Sequence, residues 1–249
     1  MSLRALPHLV LFFVLSLLSA CASAPAPVKS AESYFTEGEA AYASGKYGEA
    51  VAQWKKVKES YSSPELTTQA ELKIADAYFE DESFIEAVAA YEDFRKLHPS
   101  HPKAEYALYR LALSHYSQVA GTDTDQTPVK NAVLTLDGFL RLYPDSAYAA
   151  EVKQKLADCR IKQLAYENYV GRFYLKTEKY PAAIKRLQEA LVRFPQTPRL
   201  DETLFYLGKA HLESGDAAQA KAVFQRLSAE YPNSHLNRDV EKLLGKPAG

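Results

Sequence analysis

Two histidines, His98 and His101, are candidate metal ligands, because imidazoles three residues apart can share a metal ion. Pro99 and Pro102 interrupt this stretch, and no third ligand lies nearby in the sequence. The chain contains no glycine-rich phosphate loop, no serine nucleophile elbow and no zinc-protease helix motif. The acidic run at 80–82 is interpreted as a solvated turn. We therefore predict no metal, no cofactor and no catalytic site, and we expect that the chain is not an enzyme.

A cysteine near the amino terminus could carry a covalent lipid. Cys21 follows an apolar run, Leu9 to Leu18, which is too short to span a bilayer and is typical of an export-signal core. The sequence LSAC that ends at this cysteine resembles the lipobox of bacterial lipoproteins, where cleavage before the cysteine accompanies its acylation. We predict a signal peptide over 1–20 and a lipidated cysteine with a flexible tether over 21–33. An ordinary secretory signal that contains a cysteine is the alternative.

The residue after this cysteine bears on localisation. In bacterial lipoproteins an aspartate at that position usually retains the protein at the inner membrane, and this chain has Ala22 there. The resemblance therefore implies the periplasmic face of the outer membrane. The membrane would be a partner only through the lipid anchor, because two or three acyl chains hold a protein stably without a spanning helix.

Composition and charge narrow the classes of partner. The formal net charge is −1, so the chain lacks the basic excess that nucleic-acid binding normally requires, and we predict no nucleic-acid partner. Hydrophobic residues make up 47% of the chain, which is enough for a core or for an elongated repeat array. With Cys21 committed to lipid, Cys159 has no disulfide partner in the chain and is predicted to be a small core residue.

An aromatic–proline element recurs along the chain and defines the helices that must position any functional side chain. Twelve residues before each proline stands an alanine, and four residues after that alanine stands a large apolar side chain. This spacing predicts a helix that crosses a partner closely at the small residue and ends at the proline. The intact elements are His98-Pro99, Tyr143-Pro144, Phe194-Pro195 and Tyr231-Pro232, and Ala50 with Tyr61 forms a fifth copy that lacks its proline.

A preceding helix repeats with the same period. Its small residue lies twelve positions before the alanine of the same unit, as Gly38, Ala75, Gly171 and Gly208. Two small crossing points in each unit predict antiparallel helix pairs that bury their apolar faces by stacking on neighbouring pairs. This arrangement is that of the tetratricopeptide repeat.

The predicted fold is all-α, a tetratricopeptide-repeat superhelix of five helix-turn-helix units. Three N-terminal units occupy 34–146, two C-terminal units occupy 147–245, and 246–249 is a tail. A long helix over about 147–176 joins the two groups. The third unit has a polar loop at 121–128 between its helices.

The region around residues 123–197 resembles the BamD family, lipoproteins of the outer-membrane β-barrel assembly machinery. The resemblance rests on the acidic-glutamine loop TDTDQTP, the connecting helix with LAYENYV, and the helix YPAAIKRLQEALVRF. Two departures are a shorter loop than in some relatives and the sequence SSP at 62–64, which displaces the expected proline of the first unit.

The resemblance implies a non-catalytic subunit that binds a BamA-like barrel insertase with POTRA domains through its C-terminal repeats. It also implies that unfolded outer-membrane proteins bind the N-terminal repeats, and it suggests other assembly lipoproteins as further partners. The alternative is a different periplasmic tetratricopeptide lipoprotein, a scaffold for envelope division, peptidoglycan coordination or pilus biogenesis.

One arginine is a candidate partner-binding residue. Arg186 lies one position off the predicted buried stripe of Ala183, Leu187 and Ala190. In the BamD resemblance it takes the place of an arginine implicated in the BamA contact. The alternative is a solvated charge.

A surplus aromatic stripe is a candidate peptide groove. On the helix over about 103–117 the predicted core stripe, which includes Leu108 and Leu111, already suffices to pack the unit. A second stripe, which contains Tyr106, Tyr109 and Tyr116, lies beside it at spacings of three, four and three and needs another surface to cover it. The same register in the first two units contains Phe35, Tyr42 and Phe79, and these six residues are the predicted groove. An aromatic groove suits the aromatic-rich terminal signals of unfolded outer-membrane proteins, and packing between neighbouring repeats is the alternative.

Overall fold

The structure, a computed structural model, describes residues 29–60 and 63–245, so Cys21 and the predicted tail lie outside the described residues. The described residues form eleven helices and no strand, which confirms the all-α prediction. None of these helices is both long enough and apolar enough to cross a membrane. The helices are α1 (Ala31–Ala43), α2 (Tyr47–Ser60), α3 (Pro64–Glu80), α4 (Phe84–Leu97), α5 (Ala104–Ser117), α6 (Thr127–Leu142), α7 (Ala149–Lys176), α8 (Tyr180–Arg193), α9 (Leu200–Glu213), α10 (Ala217–Glu230) and α11 (Leu236–Gly245).

Successive helices pack as antiparallel pairs, and the first helices of neighbouring pairs also contact one another, as in tetratricopeptide repeats. The pairs cross at the predicted small residues. A Cβ atom added to Gly171 would lie 2.7 Å from Leu187 Cδ2, and one added to Gly208 would lie 2.7 Å from Phe224 Cδ1. Gly38 faces the buried Trp54 in the same way. The absence of a Cβ at these positions lets each pair approach closely.

Four of the five pairs share one tight turn that the repeat pattern alone does not reveal. One turn residue takes a positive φ, as Gly45, Glu82, Glu178 or Gly215, at 57° to 87°. The next residue donates its N–H to a carbonyl five residues earlier, as in the bond from Lys179 to Tyr174, which is 2.8 Å long. This bond satisfies a carbonyl at the helix end that would otherwise lack a partner. Two glutamates therefore occupy a backbone conformation that usually favours glycine.

The third pair replaces this turn with the polar loop. The loop spans 118–126, so it begins and ends earlier in the sequence than the predicted 121–128. Thr127 and Pro128 instead begin α6, because the Asp125 carboxylate accepts the Thr127 N–H at 3.0 Å and proline suits the first turn of a helix.

The long helix α7 contributes to three hydrophobic clusters. Val152, Leu156 and Cys159 pack with the second and third pairs, whereas Leu164 and Leu175 pack among the C-terminal helices. Cys159 is fully buried, and burial raises the pKa of its thiol to about 11, which confirms the prediction of a core residue.

Candidate protein-binding surfaces

The six predicted groove residues lie on α1, α3 and α5, the first helices of the three N-terminal pairs. These helices contact one another in order, and the six residues are here called the N-terminal aromatic face. All six are partly buried. The structure brings them into three groups with different surroundings.

Phe35 and Tyr42 pack against a tryptophan of the second helix. Their ring centroids lie 6.5 and 5.8 Å from that of Trp54, and the Trp54 indole N–H donates to the Phe35 carbonyl at 3.3 Å. Tyr42 also meets Tyr47 edge to face at 5.3 Å. This group therefore contributes to packing within the first pair while leaving part of each ring accessible.

Phe79 and Tyr106 surround a cation that was not predicted as a site residue. The Arg110 guanidinium lies 3.8 Å from the Phe79 ring centroid and 5.9 Å from that of Tyr106. It also donates to Glu80 at 2.5 Å. Glu80 is exposed at the end of α3, so the predicted solvated acidic turn also carries one half of an ion pair. A guanidinium held against aromatic faces is oriented as well as attracted.

A partly buried carboxylate on α3 bonds to the tyrosine of this group. Asp76 accepts hydrogen bonds from Tyr91 at 2.5 Å and from Tyr106 at 2.9 Å, and Arg110 Nε donates to the Tyr91 hydroxyl at 3.2 Å. Burial raises the pKa of the Asp76 carboxyl, against the lowering effect of the two tyrosine bonds and the nearby Arg110. Desolvation and the adjacent Asp76 charge likewise raise the pKa of Tyr106. The network spans α3, α4 and α5 and holds Tyr106 in position.

Tyr109 and Tyr116 contact the long helix instead. Tyr109 stacks on Tyr148 with ring centroids 4.1 Å apart, and its hydroxyl donates to Glu151 at 2.7 Å. The Tyr116 hydroxyl donates to Asp158 at 2.9 Å, and burial with this bond raises the pKa of Tyr116 to about 12. These two residues do pack against the neighbouring repeat. Peptide binding by the face as a whole stays a prediction.

The predicted partner-binding arginine is held by an ion pair inside the chain. Arg186 on α8 pairs with Glu167 on α7, and Arg193 donates to the same carboxylate at 2.9 Å. The Glu167 side chain is only 8% exposed, whereas that of Arg186 is 32% exposed. The Arg186 guanidinium also lies 5.6 Å from the Tyr166 ring centroid. We call Arg186, Glu167 and Arg193 the arginine cluster.

A cleft adjoins the arginine cluster where the two groups of repeats meet. It has a volume of about 790 Å³ and lies between α6, α7 and the segment after α8. Arg193 belongs to both the cluster and the cleft lining, together with Lys153 and Arg160, and Asp137 is the carboxylate among these charges. Arg160 and Asp137 approach to 3.6 Å. This surface can therefore accept a partner that carries carboxylates.

The candidate metal ligands serve another contact. His98 Nε2 lies 2.6 Å from Glu71 Oε2, and the ring packs against Phe94 with centroids 5.1 Å apart. The rings of His98 and His101 are 6.4 Å apart. Within the described residues, no group of three or more histidine, cysteine, aspartate or glutamate side chains could hold a metal ion.

Comparison with known proteins identifies the family to which this chain is related. The chain matches the YfiO family, described as an outer membrane lipoprotein, over residues 27–223. It is 28% identical over 200 residues to the outer membrane protein assembly factor BamD of Caulobacter vibrioides, covering 80% of this chain and 66% of that protein. It is 27% identical over 213 residues to BamD of Vibrio cholerae, covering 81% and 88%. It is 30% identical over 189 residues to BamD of Rickettsia prowazekii, covering 76% and 75%.

The family match extends through all of the helices that carry the N-terminal aromatic face and the arginine cluster. The relatives are assembly factors, and this chain is likewise not an enzyme. The chain belongs to the YfiO/BamD family of outer membrane lipoproteins.

Proposed function

We propose that this chain is a non-catalytic subunit of an outer membrane protein assembly complex. Its C-terminal repeats bind a BamA-like barrel insertase with POTRA domains, and its N-terminal repeats bind unfolded outer membrane proteins. The lipid on Cys21 anchors it to the periplasmic face of the outer membrane. The family match and the names of the curated relatives support the assembly role.

The arginine cluster is the observation that carries the partner assignment. Its single carboxylate, Glu167, forms ion pairs with two arginines, so the cluster holds one positive charge in excess. Because the carboxylate is buried and Arg186 is partly exposed, the ion pair holds an arginine side chain that stays partly accessible. A carboxylate of a partner can dock there bidentately without first ordering a long side chain.

Charge reversal at this position tests the proposal. Arg186→Glu should weaken binding to the barrel insertase by about 2–5 kcal/mol, because it would place a carboxylate opposite both Glu167 and the partner. Lys185→Glu is the matched control, since Lys185 is an exposed neighbour on the same helix. The measurement is copurification from detergent-solubilised outer membrane, with circular dichroism to verify that both variants fold. Normal copurification of folded Arg186→Glu protein would refute the assignment.

A further inference from the structure

The C-terminal repeats carry a groove that is separate from the arginine cluster. It has a volume of about 940 Å³ and lies between the carboxyl-terminal half of α7 and α9, the first helices of the last two pairs. On α7 its lining includes Tyr169, Arg172, Phe173 and Lys176, which fall on one helical face over two turns. We call this feature the C-terminal groove.

Aromatic side chains in this groove are unusually accessible. Phe173 is 54% exposed and Tyr169 is 48% exposed. Phe205 and Tyr206 of α9 line the opposite side. Exposed rings gathered in a concavity are a favourable surface for a second molecule, because covering them removes apolar area from water.

The charges of the groove favour an anionic group. Arg172 and Lys176 make no ion pair within the described part of the chain, and the Arg172 guanidinium lies 5.3 Å from the Tyr206 ring centroid. Lys209 is paired with Glu213 at 3.5 Å, which leaves Glu178 as the other carboxylate of the lining. Arg172 and Lys176 stand beside aromatic rings, so an anionic group bound there would sit next to an apolar one.

We infer that the C-terminal groove binds a peptide segment of a partner protein in which a carboxylate side chain adjoins an aromatic one. Two helical turns along α7 extend roughly 10 Å, which matches a few peptide residues better than a single lipid headgroup. The cations are interleaved with rings along that length, whereas a headgroup site gathers its cations around one phosphate. Tyrosine hydroxyls at the groove can bond to the peptide backbone.

Fluorescence anisotropy with labelled hexapeptides tests this inference on the full-length protein. The probe is Gly-Phe-Asp-Glu-Phe-Gly, and its isosteric control is Gly-Phe-Asn-Gln-Phe-Gly, which has the same shape without charge. We expect the acidic probe to bind at least about tenfold more tightly than the amide control, with a preference that falls as salt is added. Equal binding of the two peptides would overturn the inference.

Paired charge reversals locate the site. Arg172→Glu with Lys176→Glu should weaken binding of the acidic probe at least about tenfold. Lys185→Glu with Lys221→Glu makes the same change in net charge at exposed positions on α8 and α10, and should leave the affinity within about twofold. A similar loss in both double variants would show that only overall charge matters and would overturn the inference.

Two further measurements distinguish a peptide from a lipid in this groove. Phe173→Ala should weaken both the acidic and the amide peptide, because the half-exposed ring contributes apolar contact to each. Vesicles of phosphatidylglycerol and of phosphatidylcholine test the lipid source of an anion. If Arg172 and Lys176 were needed for phosphatidylglycerol vesicles and not for the peptide, a lipid would be the occupant and the inference would fail. The Arg172→Glu, Lys176→Glu protein should still copurify with the barrel insertase, because the arginine cluster is unchanged in it. Peptide binding by the C-terminal groove and insertase binding by the arginine cluster can therefore be tested separately.

Discussion

Glu167 and Arg186 form an ion pair between the two helices of the fourth unit, and Arg193 bonds to the other oxygen of the same carboxylate. The residue expected to meet a partner is therefore already engaged within the chain. This arrangement gives Glu167 two roles, since it pairs α7 with α8 and orients the partly exposed Arg186 side chain.

Removal of the Glu167 charge should destabilise the C-terminal repeats. Glu167→Gln would leave two arginines facing a neutral amide, and we expect the free energy of unfolding to fall by about 1–3 kcal/mol. Urea denaturation followed by circular dichroism measures the change. Glu213→Gln is the control, because Glu213 forms an exposed pair with Lys209 and its loss should cost less than about 1 kcal/mol. Equal effects of the two substitutions would contradict the structural role of Glu167.

Close helix crossing should make Gly208 intolerant of a methyl group. In Gly208→Ala the new Cβ would lie 2.7 Å from Phe224 Cδ1, and Phe224 is buried, so the ring or the helix would have to shift. We expect a loss of about 1–3 kcal/mol in the free energy of unfolding. Gly48→Ala is the matched control, since a Cβ there meets nothing within 4 Å and alanine favours the helix by up to about 1 kcal/mol. If both variants gained stability, the close crossing would be wrong.

The repeat period made this crossing predictable from the sequence. Gly208 and Ala220 recur at fixed intervals, and a small residue facing a large one is a property of the helix pair itself. The shared turns were less visible, because Glu82 and Glu178 take positive φ values where glycine stands in the first and last units. The hydrogen bond back to the preceding helix, and not the residue type, maintains that conformation.

The polar contacts were not predictable in the same way. Helical spacing places Arg186 one position off the buried stripe, but its partner Glu167 is set by how two helices cross. The Asp76 network likewise joins side chains that are 15 and 30 residues apart. Arg110 was the one signal in the sequence that could have indicated this network. It lies beside the tyrosines of the aromatic stripe, and a cation on a partly buried face needs a partner.

The Asp76 carboxyl should make stability depend on pH. Burial raises its pKa in the folded protein above the ordinary value of 3.8, so the folded state binds the proton more tightly than the unfolded state. The folded state therefore loses stability as pH rises from near 3.8 through the raised pKa, and the full cost is present above it. Asp76→Asn removes this titration.

Urea midpoints of the wild-type and Asp76→Asn proteins, measured from acidic to neutral pH, test this expectation. The stability of the wild-type protein relative to Asp76→Asn should decrease as pH rises, because contributions from other groups cancel in the difference. A difference that increased with pH would mean that the hydrogen bonds from Tyr91 and Tyr106 outweigh burial.

Replacement of the lipobox cysteine should release the protein from the membrane. Each buried CH₂ of an acyl chain contributes about 0.8 kcal/mol, so loss of all the chains on Cys21 would remove the anchor. We expect Cys21→Ala protein to fractionate with soluble periplasmic proteins in cells that lack its partners. Cys159→Ala should stay with the outer membrane, because that thiol is buried in the core. Retention of both variants in the membrane fraction would exclude the lipid anchor.

The N-terminal aromatic face should bind the terminal signal of unfolded outer membrane proteins. Tyr106, Tyr109 and Tyr116 contribute rings to this face while their hydroxyls bond to Asp76, Glu151 and Asp158. The triple Tyr→Ala variant removes both rings and hydroxyls, and we expect it to bind an aromatic-rich C-terminal peptide at least about tenfold more weakly. Isothermal titration calorimetry gives the affinity, and thermal melting monitors the fold.

Two controls distinguish binding from inter-repeat packing at this face. The triple Tyr→Phe variant keeps the rings, including the stack of Tyr109 on Tyr148, and should retain most of the peptide affinity. Leu134→Ala with Leu142→Ala and Val192→Ala removes equally apolar side chains that are exposed on second helices, and should leave the affinity unchanged. If the triple Tyr→Ala protein melted cooperatively and still bound the peptide with unchanged affinity, these tyrosines would serve only to pack α5 against its neighbours.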